Sequence, residues 1–267
     1  QPFDAPSIIS LPYLIEASTS YASKAKFRQF NLGLPAEDAQ SGLTEADIDA
    51  ASIELPEPSF QRYVIGADQG MTCWIVVSGV EPSGNLVVVH YEHCALSEFE
   101  RRLDELKTQY RVRVSCFDMQ PNVYLSLQLS DKDPGAYPAM FSTRQGLDLF
   151  DVKVRDADPE AGVVAVRQVM INRNAALDRI MADLRSGAIK IARREKYDTL
   201  KAHLTDMRRG EITLRNGEWG SVWSKSTKGN DHLMFALLYS YVAARLQDMG
   251  GMALPRGMFQ VNRIKVS

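Results

Sequence analysis

The rhythm of apolar and polar positions changes several times along the chain. Three short β-branched runs come first: Tyr63-Val64-Ile65-Gly66-Ala67-Asp68, Thr72–Gly79 and Leu86–Tyr91. Gln69-Gly70 and Pro82-Ser83-Gly84-Asn85 divide them with turn-forming residues. Such short loops predict an antiparallel meander. The pattern then turns helical over Ser97–Tyr110, with Ser97 and Glu100 at capping-box spacing. A strongly apolar run, Val112–Asp118, follows, and a proline-started helix is expected from Pro121. This order predicts an α/β fold with a central mixed sheet, three antiparallel strands and then parallel ones, flanked by helices. The crossover helix makes the fourth strand parallel to the first.

Later elements are read the same way. Phe150–Arg155 and Val163–Arg167 predict a hairpin around residues 157–162. A helix is expected over Asn174–Arg185, ending at Ser186-Gly187, and another helix and a short strand within 190–215. The last helix runs from Asp231 to about Gln247, and its Leu, Met, Phe, Tyr and Val residues leave almost no polar face, so burial against the sheet is expected. Residues 1–58 differ from this body. They hold a short helical candidate near Leu11–Ala22, a brief helix opened by Thr44 with Asp47 at the capping position, and a stiff Leu55-Pro56-Glu57-Pro58 linker. The expected division is an arm over 1–58, a main domain over 59–249 and a loose tail over 250–267.

Composition narrows the class. In 267 residues, 45% hydrophobic and 24% charged content suits a globular chain with a full core. A net charge of −2 means that any nucleic-acid binding must use local basic patches. Cys73, Cys94 and Cys116 are isolated, which fits reduced thiols in a cytosolic setting rather than a disulfide framework or a zinc site. No run approaches the ~18 apolar residues of a membrane span. The chain opens on Gln1 without a cationic-apolar leader, so a fragment of a longer polypeptide is expected. No GxxxxGK[ST] or GxSxG motif occurs.

The candidate chemistry is acidic. Asp68 closes the first strand of the meander and Asp118 the fourth strand; as parallel neighbours they would emerge at the carboxyl edge of the sheet. Two carboxylates held together repel unless a cation or a proton intervenes. Oxygen-only ligands suit Mg²⁺ or Mn²⁺, and Asp231 at the start of the last helix would add a third carboxylate. Two ions ~4 Å apart would then support in-line attack on a phosphodiester. Each aspartate also has a structural reading, as a turn residue or a helix cap. Glu92 and His232 are auxiliary candidates, against readings as a solvated strand end and a capping or packing residue. For DNA phosphates the candidates are Lys225 and Lys228 beside Asp231, and Lys190, Arg193 and Arg194 in a basic run. Trp219, Trp223, Tyr239 and Tyr241 read as packing residues.

The element order is that of an RNase H-like fold, and within it four stretches resemble the C-terminal nuclease domain of the large terminase subunits of tailed bacteriophages. They are Tyr63–Gly70; Cys116-Phe117-Asp118; Ile171-Asn172-Arg173 leading to Leu184–Ile191; and Trp223-Ser224-Lys225 followed by Asn230–Tyr239. Asn31-Leu32-Gly33-Leu34-Pro35 is similar to the connector after the packaging ATPase in the lambda-like branch. The resemblance implies a metal-dependent endonuclease that cuts concatemeric double-stranded DNA, with Asp68, Asp118 and Asp231 at the positions of the family's metal-binding acids. It further implies an N-terminal ATPase domain on the same polypeptide, a small subunit and a portal protein as partners, and the host-cell cytoplasm during virus assembly as location. Where many relatives carry a second acid one helical turn past the third aspartate, this chain has Phe235 and Ala236. A resolvase- or transposase-like nuclease and a non-catalytic docking domain remain the alternatives.

Overall fold

The computed structural model describes residue 12 and residues 42–55, 60–142, 149–155, 166–213, 219–226 and 229–251. The helix expected near 11–22 (save Pro12), the 31–35 segment, the prolines of 56–58, the 157–162 turn, Lys228 and residues 252–267 lie outside this set.

Helix α1 (Glu45–Ala51) starts on a full capping box, with Thr44 and Asp47 exchanging side-chain and backbone bonds. The strands that follow are β1 (Ser52–Ile53), β2 (Arg62–Asp68), β3 (Thr72–Val80) and β4 (Leu86–Ala95). Helix α2 (Phe99–Tyr110) leads to β5 (Val114–Asp118), and α3 (Val123–Lys132) to β6 (Ala136–Phe141). Then come β7 (Phe150–Arg155), β8 (Val166–Ile171), α4 (Arg173–Arg185), β9 (Ile189–Ala192), α5 (Tyr197–Thr205), β10 (Met207–Thr213), β11 (Trp219–Lys225) and α6 (His232–Gly251).

Nine strands form one sheet in the order β1-β9-β4-β3-β2-β5-β6-β8-β7, and β10 and β11 form a separate hairpin. β2, β3 and β4 are antiparallel, while β5 runs parallel to β2, β6 to β5 and β8 to β6. This is the expected α/β, RNase H-like arrangement. A core lies on each side of the sheet because β2 alternates: Val64 faces the layer of α4 and α6, Ile65 and Ala67 the layer of α2 and α3. On α2 the buried Phe99, Leu103 and Leu106 form the apolar stripe that holds it there. Leu43, Ile48 and Ala51 join the α6-side core, and β1 pairs with β9, so the described end of the arm is built into the main body.

Three local expectations are corrected. Ser97 sits in a 3-10 turn (Leu96–Glu98), and α2 begins at Phe99 with no side-chain cap. Pro121 precedes α3 rather than starting it; Asn122 caps the helix by accepting from the Leu125 N–H at 3.1 Å. The strand expected over 163–167 is described from Val166, continues past 167 to Ile171, and its 163–165 part lies outside the described residues. Its partner Phe150–Arg155 is antiparallel to it, as the hairpin pattern predicts.

Candidate active site

Parallel pairing of β2 with β5 sets Ala67 against Phe117, so the next residues, Asp68 and Asp118, end adjacent strands at one edge. Alternation from Val64 and Cys116 turns both carboxylates toward the α6 layer. Asp231 immediately precedes α6, and its carbonyl accepts from the Phe235 N–H at 3.1 Å. Asp68 and Asp231 are each only 8% exposed, which is unusual for aspartate and marks a polar site sunk into the fold.

The electrostatics follow from that burial. Burial raises the Asp68 carboxyl above its ordinary value and the Asp231 charge adds to the shift, against a hydrogen bond from His232. Asp118 is pushed up to about 6 by burial, with the Asp68 charge adding and the Gln120 N–H, which donates to Asp118 Oδ1 at 2.9 Å, opposing. Asp68 thus feels Asp231, and Asp118 feels Asp68. Each acid already has a cationic or aromatic neighbour. His232 Nδ1 lies 2.6 Å from Asp68 Oδ2, and Lys225 Nζ lies 3.7 Å from Asp231 Oδ1. The Tyr239 hydroxyl, fully buried, faces Asp118 without a hydrogen bond of normal geometry.

Behind these side chains lies a second layer. The His232 ring stacks on Trp74, which pairs with Asp68 across β2 and β3, at 6.0 Å and 4° between planes. His203, buried, accepts the Leu233 N–H on Nδ1 at 3.2 Å and so holds the start of α6. Burial first, and the nearby His232 charge second, push the His203 imidazole down to about 4, so it stays neutral in that role. Gln69 is buried between the two loops that follow the strand-end acids. It accepts from the Asn122 N–H at 3.0 Å and donates to Ser126 Oγ at 3.3 Å.

The other sequence candidates lie elsewhere. Glu92 is neither in the acid cluster nor a solvated strand end. Its neighbour in β3 is Ile75, on the α2 side of the sheet, and it pairs with His90 at 2.9 Å and Arg102 at 2.6 Å. Burial alone would raise its carboxyl, but the hydrogen bonds from His90 and Arg102 bring it down to about 2. Arg102→Met is therefore expected to lift the Glu92 midpoint sharply toward or above the ordinary ~4.3, read by carboxyl-resolved NMR titration. A midpoint left near 2 would mean that His90 alone sets it. The basic run also departs from the expectation. Lys190 pairs with Glu81, and Arg193 donates to Ser52 Oγ and covers Tyr197. Lys190 aligns with Val87, six residues before His93 in the Asp68 row, or ~20 Å along the strand. Arg194 follows in the same segment, its backbone N–H donated to Tyr91. Lys225 alone of the described basic candidates reaches the acids.

A divalent cation suits this donor chemistry, since buried, mutually repelling carboxylates need a positive charge among them and offer only hard oxygen ligands. Among the described residues no three His, Cys, Asp or Glu side chains converge at ligand distance; Asp68 and Asp231 each engage an oxygen with His232 and Lys225 respectively.

No protein-family profile matches the chain, and no curated protein matches it in sequence. Among solved structures it is similar to phage large terminases. One is the large terminase nuclease of thermophilic phage G20c, with 14% identity over 71% of this chain and 86% of that one and a TM-score of 0.45. Another is the large terminase of a second thermophilic bacteriophage, with 10% identity over 91% of this chain and 53% of that one and a TM-score of 0.48. For the HK97 bacteriophage large terminase the figures are 13%, 85%, 49% and 0.38. The chain spans about half the length of these last two proteins. The G20c nuclease has also been solved with bound magnesium and with bound zinc.

Proposed function

We propose that this chain is the metal-dependent endonuclease region of a DNA-packaging terminase, cleaving concatemeric double-stranded DNA with Mg²⁺ or Mn²⁺ bound to Asp68, Asp118 and Asp231. In this reading residues 59–249 are the nuclease domain, 1–58 form an arm from an N-terminal ATPase domain whose α1 and β1 are built into the nuclease body, and 250–267 are a tail. Small subunit and portal are the partners, and packaging takes place in the host cytoplasm. The observation that carries the reading is the placement of buried Asp68 and half-buried Asp118 on adjacent parallel strand ends, with Asp231 in electrostatic contact.

Two bound divalent ions would supply Lewis acidity and a water of lowered pKa. The protein's own groups do the rest. Asp68, Asp118 and Asp231 offer carboxylate oxygens fixed by β2, β5 and the start of α6. His232 restrains one oxygen of Asp68 and is itself held flat on Trp74. Lys225, half-exposed beside Asp231, brings a positive charge to the mouth of the site, where a backbone phosphate would arrive. The Tyr239 ring seals the floor beneath Asp118 against water.

The test is nicking of supercoiled plasmid with Mn²⁺, Mg²⁺ or EDTA, by the wild type and by Asp68→Asn and Asp231→Asn. Cutting is expected only with metal and to fall by about a hundredfold or more in each variant. Metal-dependent cutting that survives in both variants overturns the site. No cutting by the wild type favours the docking reading, in which Asp118 is simply the turn residue that binds the Gln120 N–H.

A further inference from the structure

Arg173 is the first residue of α4, just past the carboxyl end of β8. Phe141 aligns with Ile171 and Asp118 with Ala139, so β5, β6 and β8 end along the same edge. Across the sheet, two strand spacings, about 10 Å, separate the strand of Asp118 from that of Arg173, and Arg173 comes four residues after Val169, which shares the Asp118 row. That span is at least about three base steps of a duplex. The guanidinium carbon lies 5.0 Å from the Phe235 ring centre and 5.7 Å from that of Phe141. Those rings touch each other at 5.5 Å, and Phe141 stacks at 6.0 Å on Tyr239, the residue beneath Asp118.

What the guanidinium lacks is an anion. Lys225 is taken by Asp231, Lys190 by Glu81, Arg209 by Asp178 and Arg179 by Asp183. Among the described residues Arg173 has no carboxylate partner, and its Nε is buried without a hydrogen bond. It also stands at the positive end of a 13-residue helix, where a cation is disfavoured unless negative charge joins it. Two aromatic faces fix the orientation of the group without consuming its N–H donors. An arginine held rigid and left unneutralised beside an acidic edge is built to take an anion from outside, and its fork matches a phosphate.

We propose that Arg173, clamped by Phe141 and Phe235, binds a backbone phosphate of the DNA strand several nucleotides from the phosphodiester that is cut. This rests on the nuclease reading. The acids repel DNA on their own, so a fixed cation on this flank sets the register of the strand over them.

The test is duplex-DNA affinity of the 267-residue chain as a function of salt, without divalent metal, so that cutting plays no part. Arg173→Met keeps an apolar stem on the two rings and removes the charge; Arg173→Lys keeps the charge and loses the fork. The wild type is expected to bind with a steep salt dependence. The Met variant should bind more weakly, with a log–log slope shallower by about 0.9, and the Lys variant should recover that slope. Asp118→Ala should bind at least as well as the wild type. A Met variant with wild-type affinity and slope overturns the assignment of Arg173 alone. A Lys variant as defective as the Met variant makes the residue structural and also overturns it. A wild type without salt-dependent binding overturns the nuclease reading, and the phosphate site with it.

Discussion

Replacing Asp118 by asparagine is expected to lower metal-dependent strand cutting by about a thousandfold or more, while raising the melting temperature of the metal-free protein. Asparagine has nearly the same shape and still accepts the Gln120 N–H, so the turn after β5 survives. The negative charge does not survive, and in the metal-free fold that charge is unfavourable. Burial and the Asp68 carboxylate hold the Asp118 pKa at about 6, against an ordinary 3.8. A carboxyl whose folded pKa lies above its unfolded one contributes stability that is complete below the unfolded value and lost as pH rises through the folded one. At pH ~7.5 the wild type therefore carries the full penalty and the variant none. A gain of about 1 kcal/mol would show as about 2–4 °C in a domain of this size.

The sign can be checked with pH and with metal. Lowering the pH from about 7.5 to about 5 protonates Asp118 in the wild type, so the gap between the two melting curves should close. Saturating Mg²⁺ should open it the other way, because an ion that binds only the folded wild type stabilises it by mass action. Calorimetry at the two pH values, with and without metal, reads all of this. An Asp118→Asn protein that is less stable than the wild type at pH ~7.5 would make the aspartate a structural turn residue, and full cutting by the variant would remove it from the site.

The acids were legible because strand-end position and strand order are both carried by local pattern. Alternation marks where β2 and β5 end, and the intervening helix forces them parallel, so Asp68 and Asp118 meet without any long-range guess. Asp231 is weaker on sequence grounds, since its neighbourhood depends on how α6 docks. Residues acting through a neighbour left no such trace. Tyr239 looked like one more apolar-face residue, and only packing turns its hydroxyl to Asp118. His232 looked like a helix-start histidine, yet it reaches across to Asp68. Glu92 and Lys190 carry the right charge on the wrong part of the sheet, which composition cannot reveal. Arg173 did leave a faint signal: a cation directly after a capping asparagine, at the end of a helix that disfavours it.

The glycine of β2 leads to the largest structural effect expected. A Cβ on Gly66 would stand 2.0 Å from the Ser240 backbone nitrogen and 2.1 Å from the Ala236 carbonyl oxygen. Gly66 is thus where the backbone of α6 lies directly on the sheet, and that contact fixes Asp231 relative to Asp68. Gly66→Ala must push α6 away by at least about 1 Å, because no flexible side chain is there to yield. Overpacking against backbone should cost about 3 kcal/mol or more, or about 6–12 °C in melting temperature. An error of that size in the position of Asp231 should also lower cutting by about a hundredfold. Gly79 provides the contrast, since its added Cβ would meet the Phe60 ring, at 2.4 Å. Phe60→Val should therefore restore part of the stability lost in Gly79→Ala. Ala236→Gly and Ser240→Gly should restore none in Gly66→Ala, because trimming those side chains leaves the offending backbone atoms in place. Wild-type melting and cutting by Gly66→Ala would mean that α6 sits farther from β2, and Asp231 farther from Asp68, than the site requires.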